Sequence, residues 1–159
     1  MASAWLIDMG YVVGASPLTF KIDYLRCRNL LYERLGEQPT SVIFNSIDSK
    51  LGITPGLQAF YVIVKQSGFL VSLYEMEGGK QRMVDVAIAS EAVWRASQAE
   101  TVILTTGDID FLPAINLITK TIGARLILFS YTHGTNTAIR EAASEVWTFE
   151  SVRKRIEKQ

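Results

Sequence analysis

The sequence has few of the residues that disulfides, thiol sites and histidine sites need. Its 159 residues include one cysteine, Cys27, and one histidine, His133. One cysteine cannot form an intramolecular disulfide, and its helical surroundings predict a buried structural thiol. No cysteine–histidine cluster is available for zinc. We interpret His133, in a predicted loop, as a polar surface residue, with general acid–base chemistry left open.

An excess of charge and a long apolar run are also missing. Sixteen basic and sixteen acidic residues cancel, so any nucleic-acid binding would need a local basic patch. No apolar run is long enough to span a bilayer, and no basic region precedes the first apolar residues. We therefore expect no membrane association, no signal peptide and a cytoplasmic protein. With 48% hydrophobic residues, the chain is predicted to fold as one domain rather than to be disordered.

Apolar strands alternate with amphipathic helices along the whole chain. This order predicts βαβ units, and hence a mainly parallel sheet covered by helices on both faces. We predict strands at residues 4–7, 41–46, 69–74, 102–104 and 124–130, with a last strand or extended edge at 146–149. We predict helices at 17–35, 55–66, 83–98 and 136–143, and one that has Pro113 in its first turn and ends before Gly123.

Carboxylates follow two of the predicted strands. Asp108 and Asp110 come after the strand at 102–104 and a Thr-Thr-Gly turn, and Asp8 comes after the first strand. In open α/β sheets, sites lie at the carboxyl ends of strands, and the two strand ends are neighbours if the strand order reverses between them. The acids could instead cap helices or turns. The sequence leaves both interpretations open.

Two further acids lie on the predicted helix at 83–98. Asp85 is in its first turn, and Glu91 is six residues later. Six residues are about 600° of helical rotation, so the side chains point roughly 120° apart and share a pocket only from its edges. Asp85 could simply compensate the helix dipole, and Glu91 could be solvated. Periodicity alone does not bring Asp85 to the crevice.

Carboxylates gathered in one crevice point to a metal and to phosphate chemistry. They stay ionised together only if a cation neutralises them, and ligands that are all oxygen suit Mg²⁺ or Mn²⁺. Such ions activate water and stabilise the charge that develops on phosphorus. The acids thus predict hydrolysis of a phosphodiester or a phosphomonoester. A phosphatase with Asp8 as nucleophile is disfavoured, because Gly10 stands where a second acid is needed.

Three stretches carry a resemblance to a known family: IDMGYV at 7–12, RMVDVAIASEA at 82–92 and TTGDIDFLPAI at 105–115. They resemble the signature blocks of the NYN domain, more narrowly of the LabA/DUF88 branch of the PIN-like nuclease superfamily. IREAASEVW at 139–147 resembles that family's closing segment. The resemblance implies a single-domain, PIN-like and Rossmann-like three-layer α/β/α fold with core strand order 3-2-1-4-5. The domain would span residues 1–150, and 151–159 would form a charged tail.

The resemblance also implies an activity, a cofactor and site residues. It implies cleavage of RNA, expected to be single-stranded, with Mg²⁺ or Mn²⁺. By position, it assigns catalysis and metal binding to Asp8, Asp85, Asp108 and Asp110, and it places Asp85 where periodicity did not. Glu91 is a further candidate ligand, at a position where the family commonly has Asp.

Candidate substrate-binding residues surround these acids. Thr105 and Thr106 would support the crevice or contact phosphate. Lys80, Arg82 or Arg125 would guide the RNA backbone. Tyr11 is included because it stands where the family usually has Asn. Arg82 replaces a common Lys, and Ser144 a common Asp.

The departure at Tyr11 and the neutral net charge support a second hypothesis. A catalytically weak regulatory module, binding RNA or protein through the same fold, would tolerate the loss of a polar site residue. The high apolar fraction also makes a homodimer plausible.

Overall fold

Six parallel strands form the centre of the computed structural model, which describes residues 2–76 and 82–159, with the backbone alone for Arg82. Their order in the sheet is 3-2-1-4-5-6. The predicted parallel sheet and the core order 3-2-1-4-5 are therefore confirmed, and the sixth strand adds an edge. The strands are β1 (Ser3–Asp8), β2 (Thr40–Asp48), β3 (Leu70–Met76), β4 (Thr101–Thr105), β5 (Leu126–Ser130) and β6 (Glu145–Thr148).

Helices cover both faces of the sheet, which gives the expected three layers. The α-helices are α1 (Met9–Ala15), α2 (Tyr24–Leu35), α3 (Pro55–Gln66), α4 (Arg82–Ser97), α5 (Leu112–Asn116), α6 (Thr137–Ala142) and α7 (Arg153–Ile156). Short 3₁₀ turns lie at Ile109–Phe111 and Glu150–Val152, and a π-helical segment lies at Leu117–Ile122. Helices α1, α2, α3 and α7 pack on one face, and α4, α5 and α6 on the other.

Strand β1 shows why the sheet needs both layers. Trp5 and Ile7 point into one core and Ala4 and Leu6 into the other, and all four are fully buried. Successive side chains of a strand point to opposite faces. A strand that is apolar at every position must therefore be covered on both sides, as strands of parallel sheets are. Cys27 is fully buried in the first core, as predicted.

The prediction of one helix over 17–35 was wrong at its start. Helix α2 begins only at Tyr24, because the Asp23 side chain accepts the N–H groups of Leu25 and Arg26 and caps it. A separate helix, α1, lies where the sequence predicted neither a strand nor a helix. Its glycines weaken the helical pattern in the sequence, but Met9 and Val12 bury their side chains.

The chain after β4 is helical but not one regular helix. It passes from the 3₁₀ turn through α5 to the π-helical segment, so its winding changes twice. Gly123 ends it as predicted, with a left-handed φ of 76° and its N–H donated to the Ile118 carbonyl. Glycine adopts that conformation without the cost that a side chain would add.

The C-terminal segment packs on the domain. Val152 and Ile156 lie in the first core, and Asp23 N–H donates to the Ile156 carbonyl at 2.7 Å. Strand β6 pairs with β5 in parallel, so the residues at its centre form a strand rather than an unpaired edge. The domain boundary at residue 150 stays a prediction. Among the described helices, none combines the length and the apolarity that a membrane span would need.

Candidate metal centre

The acidic residues meet where the strand order reverses. From β1 the chain adds β2 and β3 on one side of the sheet, and then crosses to place β4 on the other side of β1. A crevice opens at the carboxyl ends of strands at such a point. Ile7 pairs with Thr105, so the residues that follow them, Asp8 and Thr106, come side by side above the sheet.

Three carboxylates converge at this crevice. Asp85, Asp108 and Asp110 each offer one oxygen, and the three oxygens lie within 4.8 Å of one another. Mg²⁺ holds its ligands at about 2.1 Å, so opposite ligands are roughly 4.2 Å apart. The limit of 4.8 Å is slightly wider than this span, so the three oxygens would have to draw together a little to hold one Mg²⁺. Donors that are all oxygen suit a hard cation. Asp8 joins Asp85 and Asp108 in a cavity of about 380 Å³, whose other walls are Gly10, Tyr11, Gly107 and Gly134.

Two of these acids, Asp8 and Asp108, are caps, as one of the two interpretations of the sequence predicted. Asp108 caps the 3₁₀ turn by accepting the N–H of Asp110 at 2.9 Å. Asp8 caps α1 by accepting the N–H of Tyr11 at 3.3 Å, and its second oxygen accepts the Thr106 hydroxyl at 3.0 Å. A carboxylate has about four acceptor positions, so capping leaves lone pairs for a cation. The caps fix the orientation of the acids that line the crevice.

Asp85 reaches the crevice from the first turn of α4. Burial, and to a smaller extent the charges of Asp8, Asp108 and Asp110, together raise the pKa of its carboxyl to about 6. Burial also raises the pKa of Asp8, against the opposing effect of its hydrogen bonds from Tyr11 and Thr106. The crevice is thus a site of excess negative charge, which a cation would relieve.

We expect the metal-free protein to lose stability as pH rises from about 4 to about 6. In that range the folded state binds more protons than the unfolded state, because the pKa of Asp85 is raised from 3.8 to about 6. Stability therefore falls with rising pH and levels off above pH 6, as far as this group is concerned. Thermal unfolding in EDTA at several pH values would measure this. Asp85→Asn should unfold at higher temperature than the parent above pH 6 and at a similar temperature at pH 4; an equal difference at both values would contradict the assignment.

The structure does not bring every predicted residue to the crevice. Glu91 lies further along α4 and pairs with Arg95 at 3.8 Å, outside the three-carboxylate group. Arg125 precedes β5, at the opposite end of the sheet from the acids, and its guanidinium pairs with Glu145. Lys80 lies outside the described residues, and the side chain of Arg82 is likewise not described.

Thr105 and Thr106 act inside the protein. The Thr105 hydroxyl donates to the Phe129 carbonyl at 2.6 Å and accepts the indole N–H of Trp5 at 2.8 Å. Thr106 is equally buried, and its hydroxyl holds Asp8. Of the two roles that the sequence left open for these threonines, support of the crevice fits their contacts, because neither hydroxyl is exposed to a substrate.

Tyr11 forms one wall of the acidic cavity and ties two loops together. Its hydroxyl accepts the N–H of Tyr131 at 3.0 Å and lies 2.8 Å from the Thr135 hydroxyl. Burial raises the pKa of Tyr11 to about 12, so the phenol stays protonated at neutral pH. Its polar atom is therefore engaged by the protein, and its ring is the part that faces the cavity.

Removing this hydroxyl should destabilise the fold. We expect Tyr11→Phe to lower the free energy of unfolding by about 1–3 kcal/mol, because the buried Tyr131 N–H loses its acceptor. Thermal unfolding would measure the change. Tyr32→Phe is the matched control, because Tyr32 is exposed on α2. Equal unfolding temperatures for the Tyr11 variant and the parent would show that the hydroxyl bonds contribute nothing.

None of the three glycines that line the cavity was among the predicted site residues, and Gly107 shows why a glycine is needed there. A Cβ on Gly107 would lie far inside van der Waals contact of the Gly134 carbonyl oxygen and the Tyr11 ring. The Gly107 carbonyl accepts the N–H of Asn136, the N-terminal cap of α6. The loop after β5 can therefore approach the loop after β4 only with glycine at 107. The Gly-Asp-x-Asp-Phe block could have pointed to Gly107 in the sequence. The contact that requires glycine, however, is made by Gly134, which lies 27 positions away.

Comparison with known proteins agrees with this fold. Residues 6–150 match the NYN domain family. A crystal structure of a protein of unknown function from Vibrio parahaemolyticus is similar, with a TM-score of 0.74 and 18% identity over 92% of this chain and 91% of that chain. At this identity the likeness shows a shared fold. No curated protein matches the chain.

Proposed function

The chain belongs to the NYN domain family, of the PIN-like nuclease superfamily, and on that premise we propose that it is a metal-dependent endoribonuclease. The observation that carries the proposal is the convergence of Asp85, Asp108 and Asp110, with one oxygen each within 4.8 Å. These three carboxylates form no ion pair with any residue that the structure describes. Their arrangement suits a divalent ion better than a purely structural role.

In this proposal three of the four aspartates bind the metal and the fourth acts as the general base. Asp85, Asp108 and Asp110 would hold Mg²⁺ or Mn²⁺. When bound, such an ion stabilises the charge that develops on phosphorus and activates water. Asp8 would orient the attacking water and accept its proton, because the Thr106 hydroxyl fixes the carboxylate and burial raises its pKa. A base is more effective when its pKa is closer to the working pH.

Cleavage of a labelled single-stranded RNA by the purified protein would test the proposal. We expect internal cleavage with Mn²⁺ or Mg²⁺ and none with EDTA. Cleavage that persists in EDTA would contradict a metal-dependent mechanism. A folded protein that cleaves neither single- nor double-stranded RNA with either ion would contradict the nuclease.

A regulatory binding module is the second candidate, and Tyr11 favours it. The NYN family usually has Asn at this position, and the Tyr11 hydroxyl is engaged by Tyr131 and Thr135. The side chain thus offers no polar atom to a substrate. RNA binding that survives EDTA, without cleavage, would support this candidate. Recovery of cleavage in Tyr11→Asn would show that the tyrosine had suppressed it.

Finer features belong to the same proposal. Membership of the LabA branch rests on the sequence blocks around Asp8, Asp85 and Asp108. The basic residues Lys80 and Arg82 remain predicted contributors to RNA binding. Glu91 remains a predicted ligand only, since it pairs with Arg95 and lies outside the three-carboxylate group. A preference for single strands, a homodimer and a cytoplasmic location stay predictions.

A further inference from the structure

A second cavity, of about 670 Å³, lies on the other side of α1 from the acidic crevice. Met9, Val12 and Val13 of α1 line this cavity, whereas Gly10 and Tyr11 of the same helix line the acidic one. The two cavities are thus separate sites that share a helical wall. Residues from α2, α3 and the loop between α1 and α2 complete the larger cavity.

The walls of this cavity are mainly apolar, and its rim exposes apolar side chains. Val13 is 65% exposed, Ile63 is 57% exposed and Leu18 is fully exposed. Deeper in, Val64 and Tyr24 are buried. Small-molecule sites are concave, largely apolar and about 300–1,000 Å³ in volume. A contiguous apolar rim around such a cavity is typical of a binding site rather than of an ordinary surface.

Two cations stand at this cavity without a charged partner. Lys21 and Lys158 both line it, and Lys158 N–H donates to the Lys21 carbonyl at 2.7 Å, so their backbones are adjacent. Neither ammonium group forms an ion pair with any residue in the described parts of the chain. Asp23 also lines this wall; it caps α2 and forms no ion pair with either lysine, so one negative charge faces two positive ones. The charge left unmatched at the cavity is positive.

Tyr131 adds a polar atom to the apolar wall. Its hydroxyl is buried and forms no hydrogen bond with the described residues. The nearby Ser16 hydroxyl, on the same wall, donates to the Phe20 carbonyl at 3.4 Å. Burying a hydroxyl without a hydrogen-bond partner destabilises a protein unless a bound molecule or water supplies the missing hydrogen bond. Burial raises the pKa of Tyr131, but the Ser16 hydroxyl is close enough to lower it and offsets part of this cost, and an acceptor atom on a bound molecule would offset the rest.

We propose that this cavity binds an amphipathic carboxylate, with its apolar chain between α1 and α3 and its carboxylate toward Lys21 and Lys158. The apolar walls and the exposed rim would bind the alkyl chain of the ligand, and the two unpaired ammonium groups would bind its carboxylate. A neutral apolar ligand would leave both lysines without a role. A cationic amphiphile would be repelled by them.

Calorimetric titration with dodecanoate, below its micelle concentration, would test the proposal. We expect one dodecanoate per protein chain and an affinity at least about tenfold higher than for dodecyltrimethylammonium, which has an alkyl chain of similar length and the opposite charge. Replacing both Lys21 and Lys158 by Ala should weaken dodecanoate binding by about tenfold. Lys120→Ala, at an exposed lysine on the opposite face, should leave binding unchanged.

A second pair of variants keeps the test independent of the lysines. Val13 is exposed at the rim, so Val13→Glu and Val13→Lys should both fold. The first should weaken dodecanoate binding and the second should preserve it, whereas Val62→Glu, on α3 but outside the cavity, should have no effect.

Several results would overturn the proposal. Equal affinity for the two head groups would remove the role of the lysines, and many dodecanoate molecules per chain would indicate non-specific adsorption. No dodecanoate binding, together with self-association that Val13→Glu abolishes in sedimentation, would show that a second copy of the chain covers this face. None of these readouts uses nuclease activity, so the outcome is independent of the proposed function.

Discussion

Replacing Asp108 by asparagine should lower metal-dependent RNA cleavage by about 10³-fold while leaving the fold intact. A bound divalent ion contributes several kcal/mol to the transition state, and each 1.36 kcal/mol is a factor of ten in rate. Asp108 stands between the other acids, because it belongs to the three-carboxylate group and lines the cavity with Asp8. Loss of its charge should therefore weaken binding of the ion and raise the activation barrier of cleavage.

The fold should persist because asparagine can do the other work of Asp108. The carboxylate caps the 3₁₀ turn by accepting the N–H of Asp110, and the amide oxygen of asparagine caps about as well. The side chain is also exposed, so the change creates no buried void. Cleavage rate and unfolding temperature, measured on the same preparation, would separate a catalytic effect from a structural one.

Asp23→Asn is the matched control. Asp23 caps α2 in the same way, and it does not line the acidic cavity. It should keep both its cap and the full cleavage rate. If the two variants cleave RNA equally fast, Asp108 has no part in catalysis. If Asp108→Asn unfolds and Asp23→Asn does not, the cap would be the function of Asp108.

Gly107→Ala should destabilise the fold more than any other substitution that adds a single methyl group near the site. The new Cβ would overlap the Gly134 carbonyl oxygen and the Tyr11 ring. A flexible side-chain end could move aside, but a backbone carbonyl cannot without displacing its loop. Overpacking of this kind costs about 1–3 kcal/mol and occasionally more, and we expect about 3 kcal/mol here. For a domain of this size that is about 6–12 °C in unfolding temperature.

The same substitution should also impair cleavage, because Gly107 lies between Thr106, which holds Asp8, and Asp108. Gly14→Ala provides the control. It makes the same chemical change in α1, where a Cβ meets nothing within 4 Å. Alanine favours a helix over glycine, so we expect Gly14→Ala to be stabilising by up to about 1 kcal/mol. Similar destabilisation by both substitutions would mean that the close approach at Gly107 is relieved cheaply.

The sequence predicted most of the fold because local patterns determine most of it. Parallel strands that are buried on both faces must be apolar at every position, and Ala4–Ile7 shows this directly. The helix at 55–66 was predicted with the observed bounds, since Pro55 and the Thr54 cap mark its start. Helix α1 was missed because Gly10 and Gly14 resemble a loop. Its stability comes from the cap at Asp8 and from burial of Val12, both of which need the rest of the fold.

The sequence by itself determined the parallel α/β sheet and the position of Asp8, Asp108 and Asp110 at strand ends, because periodicity and turn residues are local properties. It did not bring Asp85 to them, and it did not show that Gly107 must be glycine. Those features depend on distances between segments that are far apart in the chain. Only the tertiary structure decided that α4 begins beside the crevice, that the loop carrying Gly134 touches Gly107, and that Lys21 and Lys158 border one apolar cavity. Each of these features is a contact between distant segments that packing across the sheet brings together. No local sequence pattern contains that information.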